Sequence, residues 1–108
     1  MGPRLRRIAW SAGAHRDLDE AAAYIAEDSL RNASRLVSRL LDAAESLAHL
    51  PERGRTVPER NDPQVRELLV NPYRLIYWSD DEAAVILGVL HQRRDFERSA
   101  LPDRSPTP

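Results

Sequence analysis

Five side chains in the C-terminal half could carry chemistry: Arg66, Arg74, His91, Arg93 and Arg94. They lie in or just after three apolar, β-branched runs. These are Val65-Arg66-Glu67-Leu68-Leu69-Val70, Tyr73-Arg74-Leu75-Ile76-Tyr77-Trp78 and Ala83-Ala84-Val85-Ile86-Leu87-Gly88-Val89-Leu90, the last running into His91-Gln92-Arg93-Arg94-Asp95. A guanidinium is a rigid fork that clamps phosphates and carboxylates through paired, charge-assisted hydrogen bonds. Histidine, with an ordinary pKa of about 6.5, adds a group able to move protons near neutral pH. Such an array at strand ends points to an anionic target, either a nucleic acid or an acidic protein surface. Four of them also have a plainer reading. Arg74 can bridge Glu67 or Glu59, His91 can be a satisfied structural histidine, and Arg93 and Arg94 can be solvated charges. Neighbours in a strand point to opposite faces, so parity from His91 selects Arg93 to join a site formed by Arg74 and His91.

All 16 basic residues are arginine and the formal net charge is −1, which argues against nonspecific coating of DNA but leaves room for a local basic patch. Cysteine is absent, so disulfides and thiolate metal sites are excluded. His15, His49 and His91 lack metal-ligand spacing, and neither a Gly-rich phosphate loop nor a nucleophile elbow occurs. No metal or cofactor is expected. The apolar content of 42% and charged content of 31% are those of a soluble globular chain, with no run long enough to span a membrane and no apolar leader. A cytoplasmic location is the resulting expectation.

The elements that must position these residues follow from periodicity. Arg4 to Trp10 reads as a strand. Ser11 can cap a helix in which Ala14, Leu18, Ala21, Ala22 and Ile25 recur at helical spacing. Asp28-Ser29 breaks it and can cap a second helix with the stripe Ala33, Leu36, Val37, Leu40, Leu41, Ala44, Leu47 and Ala48, ended by Pro51 and Gly54. So short a link makes the two helices an antiparallel hairpin. Asn71-Pro72 and Ser79-Asp80-Asp81-Glu82 separate the three later strands into a meander. The expected fold is α+β in two layers, β-α-α-β-β-β, a helical hairpin on a small, mainly antiparallel sheet. The last strand is apolar on both faces and therefore reads as central, its second face covered by the C-terminal segment or by a partner. Trp10 and Trp78 read as core, Gly54 as a turn, and Arg53 and Arg55 as a basic rim beside it.

Six segments in this order resemble a known family. They are the Ala-rich helix around Asp17-Leu18 and Ala23-Tyr24-Ile25-Ala26, then Leu47-Ala48-His49-Leu50-Pro51-Glu52-Arg53-Gly54-Arg55, Val65-Arg66-Glu67-Leu68, Tyr73-Arg74-Leu75-Ile76-Tyr77 and His91-Gln92-Arg93-Arg94-Asp95. Together they resemble the RelE/ParE superfamily of toxins from type II toxin–antitoxin modules, also called plasmid stabilisation proteins, over about residues 4–98. Residues 1–98 then form the toxin domain, and the Pro-rich segment 99–108 reads as a disordered tail.

The resemblance implies a toxin neutralised by a cognate antitoxin, with one of two targets. ParE-type members inhibit DNA gyrase without catalysis, whereas RelE-type members cut mRNA on the ribosome. RNA cleavage needs a base, an acid and cations around the phosphorane. Arg74 and Arg93 match the phosphate-stabilising arginines of RelE-type enzymes, but their lysines and C-terminal tyrosine have no counterpart, since Phe96 is the only aromatic residue after Arg93. A variant with a glutamate base could use Glu67 or Glu59 with His91, yet lacks its aromatic acid. The expectation is therefore a ParE-like gyrase inhibitor, with Arg66, Arg74, His91, Arg93 and Arg94 as binding residues. The alternatives are an mRNA interferase using Arg74, His91 and Arg93, or a degenerate member without toxicity.

Overall fold

The computed structural model describes residues 5–93. Arg94 and the tail expected at 99–108 lie outside the described residues. Strand β1 (Arg7–Trp10) leads into helices α1 (Ala12–Ala26) and α2 (Leu30–Ser46), followed by strands β2 (Arg55–Thr56), β3 (Val65–Val70), β4 (Tyr73–Ser79) and β5 (Ala83–His91). The strands form one sheet in the order β1-β5-β4-β3-β2, antiparallel throughout except that β1 runs parallel to β5. The α+β hairpin-on-sheet arrangement is the one expected, with β5 inside the sheet.

Local chemistry sets the boundaries. Ser11 and Ser29 accept backbone N–H bonds from Ala14 and Asn32 at 3.0 and 3.1 Å, satisfying donors that have no partner within the helix. Leu36, Leu40, Ala44 and Leu47 are at most 4% exposed and pack with Ala14 and Ala21 on Leu68, Tyr73, Leu75, Tyr77, Ala84 and Ile86 of the sheet. Fully burying a leucine contributes about 1.5–3 kcal/mol relative to leaving it exposed. The turn from β4 to β5 is closed by the Asp80 carboxylate, which accepts from the N–H groups of Glu82 and Ala83 at 2.8 Å.

Four details depart from the expectation. The first strand begins at Arg7 rather than Arg4. Helix α2 ends at Ser46, well before Pro51, because Leu47 and Ala48 donate to carbonyls three residues back and tighten the chain out of the α-helix. The two-residue β2 adds a fifth strand. On the face of β5 away from the helices, Val57 reaches over from the segment after β2 and joins Val65, Ile76, Val85 and Leu87, with Ala9, Trp78 and Leu90 beside them.

A bulge in β5 matters most for function. Tyr77 pairs with Ile86 but Ile76 pairs with Gly88, leaving Leu87 as an extra residue. One inserted residue reverses the facing of everything after it. Asp17 of α1 takes the displaced Val89 N–H at 3.0 Å.

Candidate functional site

The face of the sheet away from the helices carries Glu67 and Leu69 of β3 beside Arg74 of β4, as strand alternation and the Leu69–Arg74 pairing require. Glu67 is 4% exposed and both its oxygens are taken, Oε1 by Arg74 Nε and Oε2 by Arg55 Nε, each at 2.6 Å. Arg74 also donates from Nη2 to Glu59 at 3.1 Å. A buried carboxylate is tolerated only when paired and hydrogen-bonded, which two guanidiniums achieve here. Burial works against the charge of Arg74, but its bonds to Glu59 and Glu67 raise its pKa further above the ordinary arginine value. Burial likewise opposes ionisation of Glu59, but the Arg74 hydrogen bond, a backbone hydrogen bond and the charges of Arg74 and Arg55 together outweigh it, holding this carboxyl below its ordinary pKa. The arrangement opens onto a cleft of about 380 Å³ lined by Arg53, Arg55, Glu67, Leu69, Arg74 and Gln92, among others.

A second cluster holds the rim of this cleft. Arg66, on the helix-facing side, donates to the Gly54 carbonyl at 2.9 Å. The Tyr77 hydroxyl accepts from Gly54 N–H at 2.9 Å and donates to the Pro51 carbonyl at 2.8 Å. Gly54 is needed for close approach: a Cβ there would lie 2.6 Å from the Glu67 carbonyl oxygen and 2.7 Å from the Tyr77 hydroxyl. Burial raises the pKa of Tyr77, against the Gly54 hydrogen bond and the nearby Arg66 and Arg53 charges. Because the folded pKa is raised, the stabilising contribution of the protonated hydroxyl is complete below about pH 10 and is lost as pH climbs through the folded value. We therefore expect ultraviolet titration to show a tyrosine ionising above the ordinary tyrosine range, and Tyr77→Phe to remove that phase.

The candidates do not converge. His91 pairs with Tyr73 and meets that ring edge-on at 5.2 Å, on the helix-facing side of the sheet. Arg74 is on the other side, paired with Leu90. The expected meeting of Arg74 with His91 is thus corrected by the β5 bulge. The expected parity of Arg93 also lapses, because β5 ends at His91. Arg93 is exposed in the following turn, and its backbone N–H donates to His91 Nδ1 at 3.1 Å. A neutral ring accepting at Nδ1 carries its proton on Nε2. Gln92 reaches the cleft instead, with its backbone N–H on the Pro72 carbonyl. Sequence reading missed Gln92 and Leu69 and placed Arg55 only on the rim. Alternation along β3 was the available signal for Leu69.

Among the described residues, no base and acid face each other across the cleft. The Glu67 oxygens are engaged by arginines, the Tyr77 hydroxyl is committed to the 51–54 loop, and His91 is on the other face. Among the described residues, no group of three or more His, Cys, Asp or Glu is placed to hold a metal ion. None of their helices is long and apolar enough to cross a membrane.

The sequence model of the ParE toxin of type II toxin–antitoxin systems (parDE) matches residues 8–96. The chain belongs to the RelE/ParE toxin superfamily. The toxin is 35% identical over 91 residues to Toxin RelE2 of Caulobacter vibrioides, covering 83% of this chain and 99% of that protein. Its fold matches a chain of the chromosomal ParDE toxin–antitoxin system from P. aeruginosa with a TM-score of 0.66 at 21% identity, over 82% of this toxin and 97% of that chain. It also matches a chain of the RelBE2 toxin–antitoxin complex from Mycobacterium tuberculosis, with a TM-score of 0.61 at 25% identity over 81% and 91% of the two chains. Relatives of both names are therefore similar to this toxin.

Proposed function

We propose that this toxin is ParE-like: it arrests growth in the cytoplasm by binding and inhibiting DNA gyrase, and a cognate antitoxin neutralises it. The observation that carries this reading is the enclosure of Arg74 between Glu67 and Glu59, with His91 on the opposite face. A nuclease would need an arginine open to phosphate and a proton donor beside it. An exposed arginine rim on a rigid sheet suits recognition of a protein surface instead. The second reading, ribosome-dependent mRNA cleavage, draws support from the relative named RelE2.

The antitoxin reading rests on the superfamily and on an open apolar groove. Ala22, Ala23, Ala26, Leu30, Ala33 and Val37 line an open channel of about 660 Å³ between α1 and α2, and Leu30 is 77% exposed. An amphipathic helix fits such a channel. Antitoxin peptide at saturation should raise the melting temperature by several degrees, since a ligand bound only by the folded state stabilises it. An unchanged melting temperature at saturation would contradict this use of the groove.

Pulse labelling of cells after toxin induction tests the target class. Inhibition of gyrase requires thymidine incorporation to fall before methionine incorporation. The reverse order would favour the ribosome, and normal growth with antitoxin binding retained would mark a non-toxic member.

A further inference from the structure

Arg74 is held unevenly. Its Nε is fixed by Glu67, which is 4% exposed and locked into β3. Its Nη2 is held at 3.1 Å by Glu59, whose side chain is 50% exposed and which lies on the Pro58-Glu59 turn outside the strands. One carboxylate therefore holds the guanidinium from within the strand, while the other reaches it from an exposed turn. An ion pair this exposed contributes little to stability, so holding the fold together is a weak reason for it.

The surroundings describe a ligand. Among the described residues, three guanidiniums (Arg53, Arg55 and Arg74) and the Glu67 carboxylate line the cleft and Glu59 bonds to Arg74, leaving one formal positive charge, or two once Glu59 turns away. Leu69 lines the same cleft and is 61% exposed.

We propose that this cleft binds a carboxylate side chain flanked by apolar residues on a protein partner, and that Glu59 is a built-in competitor which the partner's carboxylate displaces. The occupant that the fold itself supplies is a carboxylate, so the position already matches that group in size and planarity. Glu67 behind Arg74 disfavours a phosphate, whose greater charge it would repel more strongly. Leu69 gives an aliphatic contact that suits a peptide and offers no stacking surface to a base. This inference rests on the proposed function only in taking the target to be a protein.

The test follows the Arg74 Nε–H resonance by NMR in the full chain at low salt. The probes are acetyl-Leu-Glu-Leu-amide, its glutamine analogue, inorganic phosphate and a short oligoribonucleotide. Glu59→Gln leaves Arg74 tied to Glu67 and should tighten the acidic tripeptide about three- to fivefold, the effect of removing one half-exposed competing ion pair. Adding Arg74→Lys, with binding then followed by the backbone amide resonances of Leu69 and Gln92 in the same cleft, should abolish that gain, because an ammonium lacks the fork. Equal affinity in wild type and Glu59→Gln would overturn the competitor. Equal binding of the glutamine analogue would overturn carboxylate recognition, and tighter binding of phosphate or oligoribonucleotide would replace it with a phosphate site. Gyrase assays on the same samples separate the two claims. Inhibition without any Glu59→Gln effect rejects only the competitor, whereas tightening without any action on gyrase rejects only the proposed target.

Discussion

Gly54→Ala should lower the free energy of unfolding by about 2–4 kcal/mol, combining an overpacking cost with a weakened buried hydrogen bond. The added methyl would meet the Glu67 carbonyl at 2.6 Å and the Tyr77 hydroxyl at 2.7 Å, and neither can retreat cheaply. The carbonyl belongs to β3, and the hydroxyl is tied to the Pro51 carbonyl. Urea unfolding measures the loss. A double variant with Tyr77→Phe should lose less than the two single losses combined, because both act through the same contact. Stability within about 0.5 kcal/mol of wild type, the range of a neutral surface change, would contradict this account of the rim.

Arg74→Ala should cost about 2–3 kcal/mol and weaken growth arrest at the same time. Removing one partner of a fully buried ion pair costs roughly 3–5 kcal/mol, and the value is lower here because Arg55 still reaches Glu67. Arg55 cannot replace Arg74, since its side chain is 74% exposed and screened by water. Glu67→Leu combined with Arg74→Leu should recover most of the stability, as apolar replacement of a buried pair usually does, without recovering growth arrest. Recovery of both would reduce Arg74 to a purely structural residue. An Arg74→Ala protein as stable as wild type would refute the buried pairing itself.

Local signals carried far in this chain. Ser11 and Ser29 cap the helices where the sequence places them, and the Leu36, Leu40, Ala44, Leu47 stripe faces the sheet. The pairing of Arg74 with Glu67 or Glu59 was readable from charge and strand order, and both bonds form. What escaped depends on contacts between strands. Parity holds within one strand, whereas the facing of His91 relative to Arg74 depends on β4–β5 register. Continued at the register of Tyr77 and Ile86, the ladder would put His91 on the face of Arg74. The extra Leu87 puts it on the other. Gly88, an isolated glycine in an apolar strand, was the one hint of a bulge. Strand β2 escaped because two exposed residues have no period, and its place comes from Arg55 reaching Glu67.

The proposed target is tested most directly by running purified toxin, in parallel, in gyrase supercoiling and in ribosome-dependent mRNA cleavage, each with and without its antitoxin. Gyrase inhibition predicts dose-dependent loss of supercoiling that the antitoxin reverses, with mRNA left intact on the ribosome. Cleaved mRNA alongside unimpaired gyrase would contradict it.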